Sequence, residues 1–188
     1  GGRGDGIGSA RGGVVTLDGP VFDTYAHGDS TVIYVVNPVT AGIKDLSATF
    51  KAGLTGILMQ LGHRCSAENL NLTGTNQSHL TTDRCYESKF KNIDAFDVSA
   101  AIGANYGIIV GNSQRIHVTD CMLDTTRHGL AIGGNDVDGC VPNRLITVRG
   151  CTITGHTAGL SGADAHGNCE YVAYVGNQLL AGIAVGGD

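Results

Sequence analysis

The sequence predicts an all-β chain wound as a right-handed parallel β-helix, a solenoid of about five to six coils, on three observations. Glycine is abundant, at 30 residues, while charged residues make up 15% of the chain and tryptophan is absent. Short apolar runs alternate with polar residues and break at Gly or Asn, the pattern of one-sided strands separated by tight turns. The third observation is that one stretch repeats another. Ile116, Val118, Cys121 and Leu123 recur as Ile146, Val148, Cys151 and Ile153, and Gly129-Leu130 recurs as Gly159-Leu160, all at an offset of 30 residues.

The same frame extends in both directions. Downstream it takes in Val172, Tyr174, Asn177 and Leu179, then Gly182-Ile183. Upstream, Phe90 and Ile93 with Gly107-Ile108 fit one coil, Cys65, Ala67, Leu70 and Leu72 with Leu80 another, and Leu46, Ala48 and Phe50 with Gly56-Ile57 a first. The long gap between the Gly-apolar pairs at 56 and 107 is expected to hide a degenerate coil near Ser78 to Leu80. A unit of this length cannot bury its apolar face alone; stacking buries a continuous core and aligns equivalent side chains in ladders. Right-handedness is expected because crossovers between parallel strands have that hand. The leucine-rich-repeat signature is absent, propeller blades need longer units, and a sandwich would not keep the Gly-apolar pair in frame.

Residues 1–42 follow a less regular pattern, with apolar runs at Val14-Val15-Thr16-Leu17 and at Thr31 to Val36. They are read as an N-terminal strand region, and 43–188 as the β-helix. The chain does not open on methionine and stops inside a coil, so more chain is expected after Asp188 to cover the open edge.

A formal net charge of −5 argues against a nucleic-acid partner, which would need clustered Lys and Arg. No run is long and apolar enough for membrane insertion, and no signal peptide opens the chain. The six cysteines, Cys65, Cys85, Cys121, Cys140, Cys151 and Cys169, form no CxxC pair. No metal or other cofactor is therefore implied, and the thiols are expected to pack as small apolar side chains, Cys121 stacked near Cys151. His63, His79, His117 and His156 are assigned to the surface, and Arg3-Gly4-Asp5 is read as a chance tripeptide.

Chemistry is sought where the repeat is broken. The stretch Asp124-Thr125-Thr126-Arg127-His128-Gly129 runs through Gly133-Gly134 into an insertion that carries Asp136, Asp138, Cys140 and Val141-Pro142-Asn143. One coil later comes Asp164-Ala165-His166-Gly167-Asn168-Cys169-Glu170. The 30-residue offset sets Gly134 opposite Asp164 and Asp136 opposite His166. On a strand, Asp164 and His166 share one face. If that face is outward, they form a surface groove with Asp136 and Asp138, bordered by Arg127 or His128. The plainer alternative is that Asp164 and His166 cap turn backbone, that His128 covers a turn, and that Asp136 and Asp138 belong to a solvated loop.

The order Arg127-His128-Gly129, Gly133-Gly134, Val141-Pro142-Asn143 and then Asp164-Ala165-His166-Gly167-Asn168 resembles bacteriophage tailspikes and preneck appendages with pectate-lyase-like β-helices, the capsule depolymerase family. The resemblance covers about 43–188, and its motifs 124–170. It implies a homotrimeric spike on the virion tail, associated with other phage tail proteins, that acts outside the host cell on a bacterial surface polysaccharide, capsule or lipopolysaccharide. Glycoside hydrolysis would use a carboxylate pair, Asp164 with Asp136, Asp138 or Glu170. Lyase chemistry would use a base such as His166 or Arg127 and a cation against the sugar carboxylate. Arg127, His128 and Glu170 are the expected substrate-binding residues, and Asp164, His166, Asp136 and Asp138 the expected catalytic ones. A non-catalytic glycan-binding fibre and a cellular pectinase-like lyase or epimerase are the alternatives.

Overall fold

The computed structural model describes residues 10–11, 14–15, 38–51, 55–74, 77–97, 105–133 and 141–186. The chain divides into two units, Gly1–Pro38 and Val39–Asp188. In the first, β1 (Ala10–Arg11) pairs antiparallel with β2 (Val14–Val15). The run at Thr31 to Val36 and the tripeptide at Arg3 lie outside the described residues.

The second unit is a stack of parallel coils. The first three each hold two strands: β3 (Gly42–Thr49) and β4 (Ile57–Gln60), β5 (Ser66–Thr73) and β6 (Ser78–Asp83), β7 (Lys89–Asp97) and β8 (Tyr106–Gly111). The next three hold three each: β9 (His117–Thr119), β10 (Met122–Thr125) and β11 (His128–Gly133); β12 (Asn143–Arg149), β13 (Thr152–Gly155) and β14 (Ala163–His166); β15 (Cys169–Val175), β16 (Gln178–Leu179) and β17 (Ile183–Val185). Hydrogen bonds run between coils, and every pairing in this unit is parallel. One sheet stacks β4, β6, β8, β11, β14 and β17; the other stacks the remaining strands.

Alternation within each strand sends one side chain in two to the core. Ile57, Leu80, Ile108, Leu130 and Ala163 form one buried column, and Met59, Thr82, Val110, Ile132 and Ala165 the next. Across the core stand Ala67, Phe90, Val118 and Val148, and beside them Leu72, Ala95, Leu123 and Ile153. Each fully buried Leu or Ile contributes roughly 1.5–3 kcal/mol. The degenerate coil is β6, with Leu80 in the column as expected.

At the corners, side chains of the next coil satisfy backbone donors. Ser88 Oγ accepts from Cys65 N–H, Ser113 Oγ from Cys85 N–H, and Asn177 Oδ1 from Cys151 N–H. Cys65, Cys85, Cys121 and Cys151 are buried free thiols, with Cys121 N–H directed at Cys151 Sγ. Cys140 lies outside the described residues.

The Gly-apolar pair has a steric cause. A Cβ on Gly107 would strike the Gly129 carbonyl, and one on Gly129 would come within 2.6 Å of Leu123 O. The backbone approaches so closely at these coil corners that only glycine fits.

Two expectations are corrected. The offset of 30 residues holds for Val118 against Val148 and Leu123 against Ile153, but Leu130 pairs with Ala163, an offset of 33. The segment from Gly155 to Ala163 is three residues longer than the segment from Thr125 to Leu130 on which it stacks. The true partner of Gly129-Leu130 is therefore Gly162-Ala163, and Gly159-Leu160 sits within that longer segment with Leu160 exposed. His79 is not a surface residue: it is 0% exposed, and its Nδ1 donates to Tyr106 O at 3.0 Å. Burial pushes its pKa down, which favours the neutral ring. Its Nε2 has no hydrogen-bond partner among the described residues.

Candidate functional site

On β14, Ala163 and Ala165 face the core, so Asp164 and His166 face outward, as the strand argument requires. Their neighbours on the outer face are small. Asp164 lies between Ala131 of β11 and Ala184 of β17, and His166 stands opposite Gly133. These small residues leave room beside the carboxylate and the imidazole. His166 Nε2 is 3.2 Å from Asp164 Oδ2, and the His166 side chain is 54% exposed against 14% for Asp164.

A second imidazole approaches the same oxygen. His128 opens β11, is buried, and holds its Nε2 3.7 Å from Asp164 Oδ2. Its Nδ1 is 2.6 Å from Ser161 O. A carbonyl only accepts, so Nδ1 carries the hydrogen and Nε2 is the atom turned to the acid.

Behind His128 lies Tyr106, its register partner on β8, with ring centroids 5.6 Å apart. The Arg127 guanidinium sits 5.3 Å from the Tyr106 ring centroid. Burial pushes the Tyr106 phenol up; Arg127 works against the shift and the Asp164 carboxylate adds to it. The phenol is therefore held protonated at neutral pH. The cluster thus joins one carboxylate, two imidazoles, a phenol and a guanidinium.

Four of the expected residues, Arg127, His128, Asp164 and His166, come together here. Glu170 does not join them: it lies past the corner on β15 and takes a two-point bond from the buried Arg144, Nε to Oε2 at 2.8 Å and Nη2 to Oε1 at 3.1 Å. Asp136 and Asp138 lie outside the described residues, and the residue opposite His166 is Gly133, not Asp136. Tyr106 was not anticipated, yet Tyr106-Gly107-Ile108 carries the same x-Gly-apolar pattern as His128-Gly129-Leu130, and that frame places the two together. His156, exposed as expected, pairs with Asp124 of the preceding coil, Nε2 to Oδ1 at 2.5 Å. Among the described residues no group of three or more His, Cys, Asp and Glu could hold a metal ion. Among the described residues no helix is long and apolar enough to cross a membrane.

A stack of parallel coils closed by long parallel sheets is the architecture of a pectate-lyase-like β-helix. Residues 73–188 match the family model described as Gp49, pectin lyase-like, and the chain belongs to that family. Its structure is similar to the tailspike protein gp49 from Pseudomonas phage LKA1, at 28% identity and a TM-score of 0.67 over 73% of this chain and 24% of that one. It is also similar to the Gp54 tailspike of Acinetobacter baumannii bacteriophage AP22, solved in complex with A. baumannii capsular saccharide. That match has 31% identity and a TM-score of 0.57 over 62% of this chain and 19% of the other. The Pseudomonas phage phi297 tailspike gp61 shares the fold at 22% identity, with a TM-score of 0.66 over 76% and 24% of the two chains. The chain thus spans about a quarter of the length of these tailspikes or less. No curated protein matches it.

Proposed function

We propose that the protein is part of a trimeric phage tailspike that binds a bacterial surface polysaccharide, capsule or lipopolysaccharide, and cuts it at the site built around Asp164. The observation that carries this reading is the outward Asp164 carboxylate, flanked by small residues and approached by His166 and His128. The saccharide held by the AP22 tailspike supports the substrate class. In this reading the spike sits on the virion tail with other tail proteins and works at the host surface.

Hydrolysis is the leading chemistry. Asp164 supplies one carboxylate, and Asp136 or Asp138, from the insertion that follows Gly133, supplies the second, one acting as acid and the other as base or nucleophile. His166 and His128 orient Asp164. Arg127 binds a substrate oxygen, and Glu170 contacts substrate farther along the wall. A residue of a neighbouring subunit completes the groove if the cut falls between subunits.

Elimination is favoured by one specific observation: Asp164 is the one carboxylate of the cluster among the described residues, beside a phenol and a guanidinium. There His166 would take the proton next to a uronate carboxyl, Arg127 would neutralise that carboxyl, and Tyr106 would protonate the leaving oxygen.

The test incubates the intact protein with polysaccharide purified from a bacterium to which it adsorbs, and follows reducing ends together with ultraviolet absorbance of unsaturated uronate. New reducing ends without absorbance, lost in Asp164→Asn, establish hydrolysis at this site; new absorbance establishes elimination. A polysaccharide that binds and stays intact makes the protein a non-catalytic fibre. Cleavage that survives both Asp164→Asn and His166→Ala moves the site elsewhere.

A further inference from the structure

A groove of about 860 Å³ runs along the outside of the other sheet, away from Asp164. Two columns line it. One is Ser66, Lys89, His117, Thr147 and Ala173, in register on five successive coils. The other is Arg64, Glu87, Arg115, Leu145 and Tyr171, at the corner of those same coils. With parallel strands spaced ~4.8 Å apart, five coils span roughly 19 Å.

The corner column is conformationally unusual. All five of its residues have left-handed backbone, with φ of 55°, 52°, 53°, 56° and 54°. Bulky L-residues rarely adopt that region. A second left-handed column on the same sheet runs Asp45, Asn69, Asn92, Asp120, Gly150 and Gly176, the residue types that tolerate it. The fold therefore accepts Gly and Asn at such corners. The groove column instead keeps Arg, Glu, Arg, Leu and Tyr against their backbone preference. Leu61 and Arg84, outside the groove, share this backbone, so it is the character of the lining side chains that bears on their use.

Charge indicates the use. The lining holds three cations, Arg64, Lys89 and Arg115, against one carboxylate, Glu87, on a chain whose net charge is −5. Glu87 sits between the two guanidiniums, 3.0 Å from Arg64 Nε and 3.4 Å from Arg115 Nη1. It spaces them along the axis and leaves the groove cationic. Tyr171, 72% exposed at the far end, offers a flat ring to the apolar face of a sugar.

We propose that this groove is a second saccharide site, remote from the cleavage site, which holds the carboxylate-bearing sugars of an acidic polysaccharide against Arg64, Lys89 and Arg115. The inference rests on the reading that the protein binds a surface polysaccharide, and it specifies that polysaccharide as anionic. The groove keeps a long chain attached while Asp164 and its neighbours act on another part of it.

The test measures binding of the intact protein to polysaccharide purified from a bacterium that adsorbs it, before and after chemical reduction of the carboxyl groups. The triple variant Arg64→Gln, Lys89→Gln, Arg115→Gln is expected to bind the native polysaccharide at least ~10-fold more weakly, with less dependence on salt, since screening acts on the charges removed. Wild type on the reduced polysaccharide should be weakened to a similar degree. Lys44→Gln, an off-groove cation paired with Glu68, should change neither value. Glu87→Gln removes the negative charge between the two guanidiniums and should tighten binding severalfold, a gain that loss of structure cannot mimic. Asp164→Asn should lower turnover and leave the weakening caused by the triple variant unchanged. The inference is overturned if the triple variant binds like wild type, if the reduced or a naturally neutral polysaccharide binds as well, or if the triple variant changes the oligomeric state, which would make the groove a subunit contact. A wild type that binds the acidic polysaccharide through these cations and never cuts it overturns the depolymerase reading and leaves the groove standing.

Discussion

His166 Nε2 stands 3.2 Å from Asp164 Oδ2, two residues along the same strand, with both side chains turned away from the core. The pairing depends on extended backbone, which returns to the same face every second residue. Ala165 between them anchors the strand in the core column under Ile132. Asp164→Asn keeps the size and hydrogen-bonding shape of the side chain and removes its charge. Turnover of the polysaccharide is expected to fall by about 10²–10⁴, with thermal stability close to wild type. Reducing-end kinetics and a melting curve on the same preparation check both halves.

Tyr106→Phe separates the two chemistries. The ring that packs between His128 and Arg127 remains, and only the phenol oxygen is lost. In the hydrolytic reading kcat is nearly unchanged. In the eliminative reading the proton donor is gone and kcat falls by about 10²-fold or more, with KM little altered.

The two kinds of corner glycine make opposite predictions. Gly129→Ala forces a methyl against Leu123 O and is expected to cost about 1–3 kcal/mol in urea unfolding. Gly176 has open space around its missing Cβ but φ of +61°. Gly176→Asn should be nearly neutral, because Asn tolerates that region, while a β-branched residue there should destabilise.

Glu87 is held below its ordinary value of 4.5, chiefly by the hydrogen bond from Arg64, with Arg115 and His63 adding to it. A carboxylate with a depressed folded-state pKa stabilises the fold above its unfolded value and loses that contribution as pH falls through the folded value. Stability measured downward from about pH 5 should therefore drop below the ordinary carboxylate range, and Arg64→Gln should flatten the drop. An acid limb equally steep in wild type and variant would remove Arg64 as its cause.

Arg144 is buried and Glu170 half exposed, and their two-point bond links β12 to β15. Glu170→Gln keeps a single acceptor for a guanidinium already out of solvent. The expected loss is about 1–3 kcal/mol, read as a lowered melting temperature. A change in KM at equal stability would add the substrate contact proposed for Glu170.

The period of two in Ile116-x-Val118 and Ile146-x-Val148, with the recurring Gly-apolar pair, determined the strands, which of their side chains face inward, and the hidden coil at β6, because each depends only on neighbours a few residues away. It also determined that Asp164 and His166 share a face. Register between coils was decided by tertiary structure. Gly159-Leu160 carries the same local pattern as Gly162-Ala163, and only hydrogen bonding against β11 selects the second. That choice moves His166 opposite Gly133. Likewise the meeting of Tyr106 with His128, the burial of His79 and the left-handed column from Arg64 to Tyr171 arise from contacts between coils some two to three dozen residues apart. Turn length sets those contacts, and a turn's length in space is not written in the periodicity of the strands it joins.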